Sequence, residues 1–179
     1  MIKHQKFHHS VTENGNLQLR IITEYQDDEG KVLDKKYSNP VTPADTKDMT
    51  GWDDRSKEIV EAITDPDVER DFNLEYKSNH YVAPDIDGNT GIQMTTDYDR
   101  TLDDLGRISV RRITRIFDEG EEVSKKYHRS WIMPGDDTSK ADVISRAVAD
   151  KLHTQDVINA YKAKMAEQEL EMELNIKEK

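Results

Sequence analysis

The groups in this chain that could do chemistry are its carboxylates, its histidines and one basic stretch, for it contains no cysteine. Without thiols there are no disulfides and no thiolate metal sites. His4, His8 and His9 stand close together, and a histidine cluster can hold zinc. In a strand, however, His8 and His9 point to opposite faces and do not easily share a metal. The spacing predicts surface histidines at a strand start. Asp85-Ile86-Asp87-Gly88-Asn89 sets oxygen ligands at alternate positions, as calcium favours. An EF-hand needs glycine at its sixth position and an acid at its twelfth. Here Gly88 is fourth and Thr96 twelfth, which predicts an Asx-rich turn instead. His153 stands at a helix end, where a cap or dipole role is sufficient. The 37 acidic residues offer many close pairs. Yet Asp27-Asp28-Glu29, Asp103-Asp104 and Asp118-Glu119 fall in turn sequences, where solvation is the default. No phosphate loop, dinucleotide fingerprint, serine elbow or His-Glu-x-x-His occurs. The expectation is a non-enzymatic protein with no catalytic, cofactor or metal site.

The basic stretch comprises Arg107, Arg111, Arg112, Arg115, Lys125, Lys126, His128 and Arg129. On paired strands these residues form a stripe able to meet an acidic neighbour. Glu119, Glu121 and Glu122 also offer cross-strand salt partners, and ladder pairing is the expectation.

The elements that position these residues follow from an internal repeat. Ile113-Thr114, Asp118-Glu119-Gly120 and Lys125-Lys126-Tyr127 recur as Ile22-Thr23, Asp28-Glu29-Gly30 and Lys35-Lys36-Tyr37. Each copy reads as two strands joined by an acidic turn. Residues 7–12 and 17–22 alternate about Asn14-Gly15, a strong hairpin signal. Val32, Leu33 and Tyr37 open a third strand. Trp52, Ile59, Val60 and Ile63 recur at helical spacing over about 53–64. Pro66 opens a second short helix with Asp65 as its cap. Phe72, Leu74 and Tyr76 alternate, which predicts a strand closing the first unit. Residues 79–91 crowd Gly, Asp, Asn and Pro and read as a linker.

The second unit repeats the scheme. Strands run over 92–102, 108–113 and onward, and 122–132, with a bulge near residues 111–113. Thr138 or Ser139 caps a helix carrying Val143, Ile144, Ala147, Val148 and Leu152. Thr154 caps another carrying Val157, Ile158, Tyr161 and Met165. Leu170, Met172, Leu174 and Ile176 then alternate with polar residues, as in a strand. The same residues suit a continued helix through their i,i+4 pairs, and both readings stand, with strand preferred. The predicted fold is α+β: two tandem copies of an antiparallel three-stranded β-meander followed by helix, with an extended C-terminal segment. The units are 1–78 and 92–166, joined by 79–91 and followed by 167–179.

Composition sets limits. The 179 residues are 34% hydrophobic and 35% charged, a lean core under a wet surface. Units of about eighty residues are marginal alone and pack on each other or on partners. A net charge of −11 and a pI near 5.0 argue against nucleic acid or an anionic membrane as partner. No apolar run has the length of a membrane span or the pattern of a signal peptide.

The stretch from Arg112-Ile113-Thr114-Arg115 through Tyr127-His128-Arg129 and Pro134-Gly135-Asp136 to Thr154-Gln155-Asp156-Val157-Ile158-Asn159-Ala160-Tyr161 resembles small virion proteins of tailed bacteriophages. Those proteins are encoded among the tail and other virion genes. The likeness covers about residues 106–162. The first unit joins it only through the repeat, with Ser38-Asn39 in place of His128-Arg129. The resemblance implies a virion component made in the host cytoplasm. It adds no catalytic residue. A structural protein of the tail, baseplate or head–tail region follows, binding other virion proteins or copies of itself, as an oligomer or part of a larger assembly. The partner-binding residues expected are Arg115, His128, Arg129, Leu170, Met172, Leu174 and Ile176. The rival is an intracellular phage protein that inhibits a host factor as an acidic mimic. Interspersed Lys and Arg count against mimicry.

Overall fold

The computed structural model describes residues 2–13, 15–38, 49–50, 52–80 and 91–177. In chain order they form β1 (Ile2–Val11), β2 (Leu17–Gln26), β3 (Val32–Tyr37), α1 (Asp54–Ile63), α2 (Pro66–Asn79), β4 (Gln93–Leu102), β5 (Ile108–Asp118), β6 (Glu121–Ile132), α3 (Val143–Leu152) and α4 (Gln155–Lys177). The fold is α+β, built on one six-stranded antiparallel sheet in the order β3-β2-β1-β4-β5-β6. The halves of that sheet meet over three pairs only: His9 with Leu102, Ser10 with Thr101, and Val11 with Arg100.

The repeated residues hold the same register in both halves. Ile22 faces Tyr37 and Thr23 faces Lys36; Ile113 faces Tyr127 and Thr114 faces Lys126. The turns leading into β2 and β5 also match. Gly15 N–H donates to the Thr12 carbonyl at 3.0 Å, and Gly106 N–H to the Asp103 carbonyl at 3.1 Å. Both glycines lie at positive φ, a region that a side chain strains. Gly106 is also crowded: an added Cβ would lie 3.0 Å from Val157 and 3.3 Å from Pro134. Gly120 shares the positive φ with nothing within 4 Å. Gly106→Ala is therefore expected to lower stability by about 1–3 kcal/mol and to cost more than Gly120→Ala, as measured by urea unfolding.

Alternation along the strands sends one set of side chains to the helices. Val11, Leu17, Leu102, Ile108 and Val110 meet Ile59, Ile144, Val148, Ala149 and Leu152 in one cluster, with Trp52, Val68, Phe72 and Ile132 packed around it. Each fully buried Leu, Ile or Val contributes roughly 1.5–3 kcal/mol against exposure. Three helices start where carboxylates satisfy free N–H groups, and α4 starts at the expected Thr154, whose hydroxyl accepts from Val157 N–H at 3.4 Å. Asp53 accepts from Ser56 N–H, Asp65 from Asp67 and Val68, and Asp142 from Ser145.

Four sequence expectations are corrected. Phe72, Leu74 and Tyr76 are helical, inside α2. Their alternation is partly an i,i+4 pairing, with Phe72 and Tyr76 ring centroids 6.1 Å apart, and the Asp65-Pro66 start carries the helix through them. The cap of α3 is Asp142; Thr138 and Ser139 lie in a preceding turn, where Ala141 N–H donates to the Thr138 carbonyl. Residues 111–113 pair regularly on both sides, and the irregularity of β5 falls between Ile116 and Phe117. Finally, the C-terminal segment is not extended. The α4 helix continues to Lys177. Residues after Met165 are rich in Glu, Leu and Met, and adding a residue to an existing helix is easier than starting a new ladder. The expected linker core and the Asp85–Asn89 turn fall on 81–90, outside the described residues, as does Asn14.

Candidate functional site

The arrangement nearest to a catalytic constellation joins β1 to α1. His9 Nε2 and Ser56 Oγ are hydrogen-bonded at 2.8 Å. Asp53 Oδ1 lies 3.9 Å from the same Nε2 and accepts from Ser56 N–H at 2.6 Å. A nucleophile–base–acid relay requires the acid on the other ring nitrogen, with the hydroxyl open to substrate. Neither holds, since both partners approach Nε2, and Ser56 is 0% and His9 3% exposed. Burial pushes the imidazole down to about 4 despite the attraction of Asp53, so at neutral pH it is uncharged. The trio locks a helix cap onto the sheet. His9 is thus a core residue and not the surface histidine expected.

A second buried lock lies on β4, where Arg100 is 1% exposed. Its Nε donates to Asp142 Oδ1 at 2.9 Å and to Ser145 Oγ at 3.1 Å. Its Nη1 donates to the Tyr98 carbonyl at 2.9 Å and the Thr12 carbonyl at 3.3 Å, and its Nη2 also meets Asp142. One guanidinium thus ties together β4, the β1–β2 turn and the start of α3. Sequence reasoning passed over both locks. The signal available was Asp-x-x-Ser, present at 53–56 and again at 142–145.

The basic stretch divides into paired and free members. Arg107 reaches Asp103 at 2.6 Å, and Arg111 pairs with Asp99. Arg115 pairs with Asp97, with Glu13 at 2.8 Å, and more loosely with Glu122 at 3.5 Å. The partners come mainly from β4 and the turns, with only Glu122 from the acidic run after β5. Arg115, expected to face outward, is drawn into this network with its side chain 15% exposed. On β6 the outcome differs: among the described residues Lys125, Lys126 and Arg129 have no carboxylate partner.

Alternation sends His128 and Arg129 to opposite sides of β6. His128 borders a concavity of about 300 Å³ with Tyr98, Arg112, Asp137 and Lys140. Arg129 borders one of about 410 Å³ over the junction of the two halves, floored by Ser10, Thr101 and Ser109 and edged by Asp99 and Arg111. The row Val123, Lys125, Tyr127, Arg129, Trp131 runs along one face of β6. Val123, Tyr127 and Trp131 are more than half exposed. Arg107 stacks over Trp131 at 5.4 Å and Arg111 over Tyr127 at 5.5 Å, which orients the rings at modest cost. Leu170, Met172 and Leu174 are exposed on α4; the side chain of Ile176 lies outside the described residues. No group of three or more His, Asp or Glu able to hold a metal occurs among the described residues.

No family model, no curated protein and no solved structure matches the chain. No described helix is long and apolar enough to cross a membrane.

Proposed function

We propose that this chain is a non-enzymatic structural protein of a tailed-phage virion, from the tail, baseplate or head–tail region, and that it works through protein–protein contact. The observation that carries this reading is β6. It is a 12-residue strand at the end of the sheet, with exposed aromatics on it and cations that have no carboxylate partner among the described residues. A long edge of this kind is a liability in a free monomer and an asset where subunits join. Trp, Tyr and Arg are also the residues that dominate interface energetics. The virion assignment rests on the resemblance over residues 106–162.

The two halves of the sheet are read as tandem copies of one unit. That view is supported by the matching registers and turns. It is supported further by the Asp-x-x-Ser caps, each gripping a basic residue of the unit's first strand, His9 in one and Arg100 in the other.

Light scattering on the purified chain, together with mass spectrometry of purified particles, tests the proposal. Self-association or a stable complex with a particle protein is expected, with the chain present in particles in fixed copy number. A chain that is monomeric at every concentration and missing from particles would sink it.

A further inference from the structure

Two surfaces lie open to solvent among the described residues, and they complement each other. The first is the face of β6 carrying Val123, Lys125, Tyr127, Arg129 and Trp131. Tyr127 is 58% and Trp131 51% exposed, and the two cations have no carboxylate among the described residues. The second is the C-terminal half of α4, where every described residue from 166 to 174 is exposed. At 3.6 residues per turn, Glu167, Leu170, Glu171 and Leu174 fall within an arc of about 100°. That arc is acidic and apolar, with Leu170 at 62% and Leu174 at 61% exposure. Acid and leucine on one surface thus correspond to cation and aromatic on the other. Among the described residues, neither surface is covered within one protomer.

We infer that the Glu167–Leu174 face of α4 from one copy seats on the outer face of β6 in the next copy. The inference rests on the assembly reading and specifies its interface. The apolar side chains of both surfaces leave water together, while Glu171, and Glu167 in exchange for its 2.6 Å pairing with Lys164 on the same helix, approach Lys125 and Arg129. Charge complementarity then fixes partner and orientation more than it adds affinity. It also selects against the simplest alternative, antiparallel pairing of β6 with β6. That arrangement would set Lys125, Lys126 and Arg129 of two copies against each other, and like charges opposed across strands are destabilising. Because the two surfaces differ, the contact is heterologous, and repetition closes a ring or continues as a filament.

The test uses two full-length double variants. Lys125→Glu/Arg129→Glu makes both surfaces acidic; Glu167→Lys/Glu171→Lys makes both basic. All four positions are solvent-facing, so circular dichroism and thermal unfolding are expected to match the parent. Each variant alone should self-associate roughly tenfold or more weakly than the parent in sedimentation velocity. Mixed in equal amounts, the two should recover assembly, because every α4–β6 contact in an alternating array is again between opposite charges. Added salt should weaken parent and mixture alike. Two variants that each assemble like the parent would overturn this interface while leaving the assembly reading intact. Weakened variants that fail to recover on mixing would also overturn it. A parent that remains monomeric and instead binds a single-stranded oligonucleotide through β6 would overturn both.

Discussion

Replacing Arg100 with methionine is expected to destabilise the protein by about 3–5 kcal/mol, the usual result of breaking a buried ion pair from one side. The substitution keeps most of the volume and removes the charge and all five donors. It leaves the Asp142 carboxylate, 2% exposed as a side chain, with only the Ser145 N–H of its own cap. The Tyr98 and Thr12 carbonyls lose a donor as well. Most of the penalty is the stranded charge, so it should be recoverable. Arg100→Met/Asp142→Asn removes that charge and keeps a residue that caps helices about as well as Asp. The double variant should be more stable than Arg100→Met alone in urea unfolding. A loss below about 1 kcal/mol for the single variant, the scale of an exposed pair, would show that the site is not closed as described.

The second large effect is with pH, and His9 sets it. Its imidazole is lowered from 6.5 to about 4 in the folded chain, chiefly by burial; Arg55 and His8 add to the lowering, and Asp53 and Asp104 oppose it. The unfolded chain therefore binds a proton that the folded chain refuses over that interval. Stability rises with pH where the unfolded state holds more protons, so acidification from 6.5 toward 4 removes it. A shift of that size corresponds to about 3 kcal/mol at about 1.4 kcal/mol per unit. Glu75 works in the opposite sense. Burial raises its carboxyl, the folded state holds that proton more tightly, and stability from it falls as pH rises. Comparing the parent with His9→Gln isolates the histidine. The parent should lose about 3 kcal/mol more than the variant between pH 6.5 and 4, read from urea midpoints at several pH values. Parallel curves for the two proteins would mean that His9 is solvated.

The two predictions concern two buried locks, each made with an Asp-x-x-Ser helix cap but with different chemistry. A neutral histidine under Ser56 needs no buried counter-charge, and Asp53 beside it is correspondingly 29% exposed as a side chain. An arginine in the second lock brings a permanent charge, and Asp142 is buried with it at 2%. One lock is thus sensitive to acid and the other to loss of a partner.

Much of this architecture was legible in the residues. Alternating apolar positions bounded by Gly30, Gly106 and Gly120 located the strands, because a period of two and a left-handed turn residue are local properties. The repeat of Ile-Thr, Asp-Glu-Gly and Lys-Lys-Tyr carried the hairpin register, and Asp65-Pro66 marked a helix start. Tertiary structure decided the remainder. Leu74 and Leu174 sit in segments whose apolar spacing satisfies both a strand and a helix, so the outcome turned on whether a ladder partner or a helix already under way was at hand. His9 read as a surface residue on a strand, and neither it nor Arg100 has anything near it in sequence that announces Ser56, Asp142 or Ser145. Arg115 was expected to pair with the acidic run after β5, and folding brought Glu13 and Asp97 to it as well. The sequence by itself determined the six sheet strands, their glycine turns and the absence of thiol chemistry. Which charges are buried and which remain open on β6 depends on distances between residues far apart in the chain, and only the packed fold sets those distances.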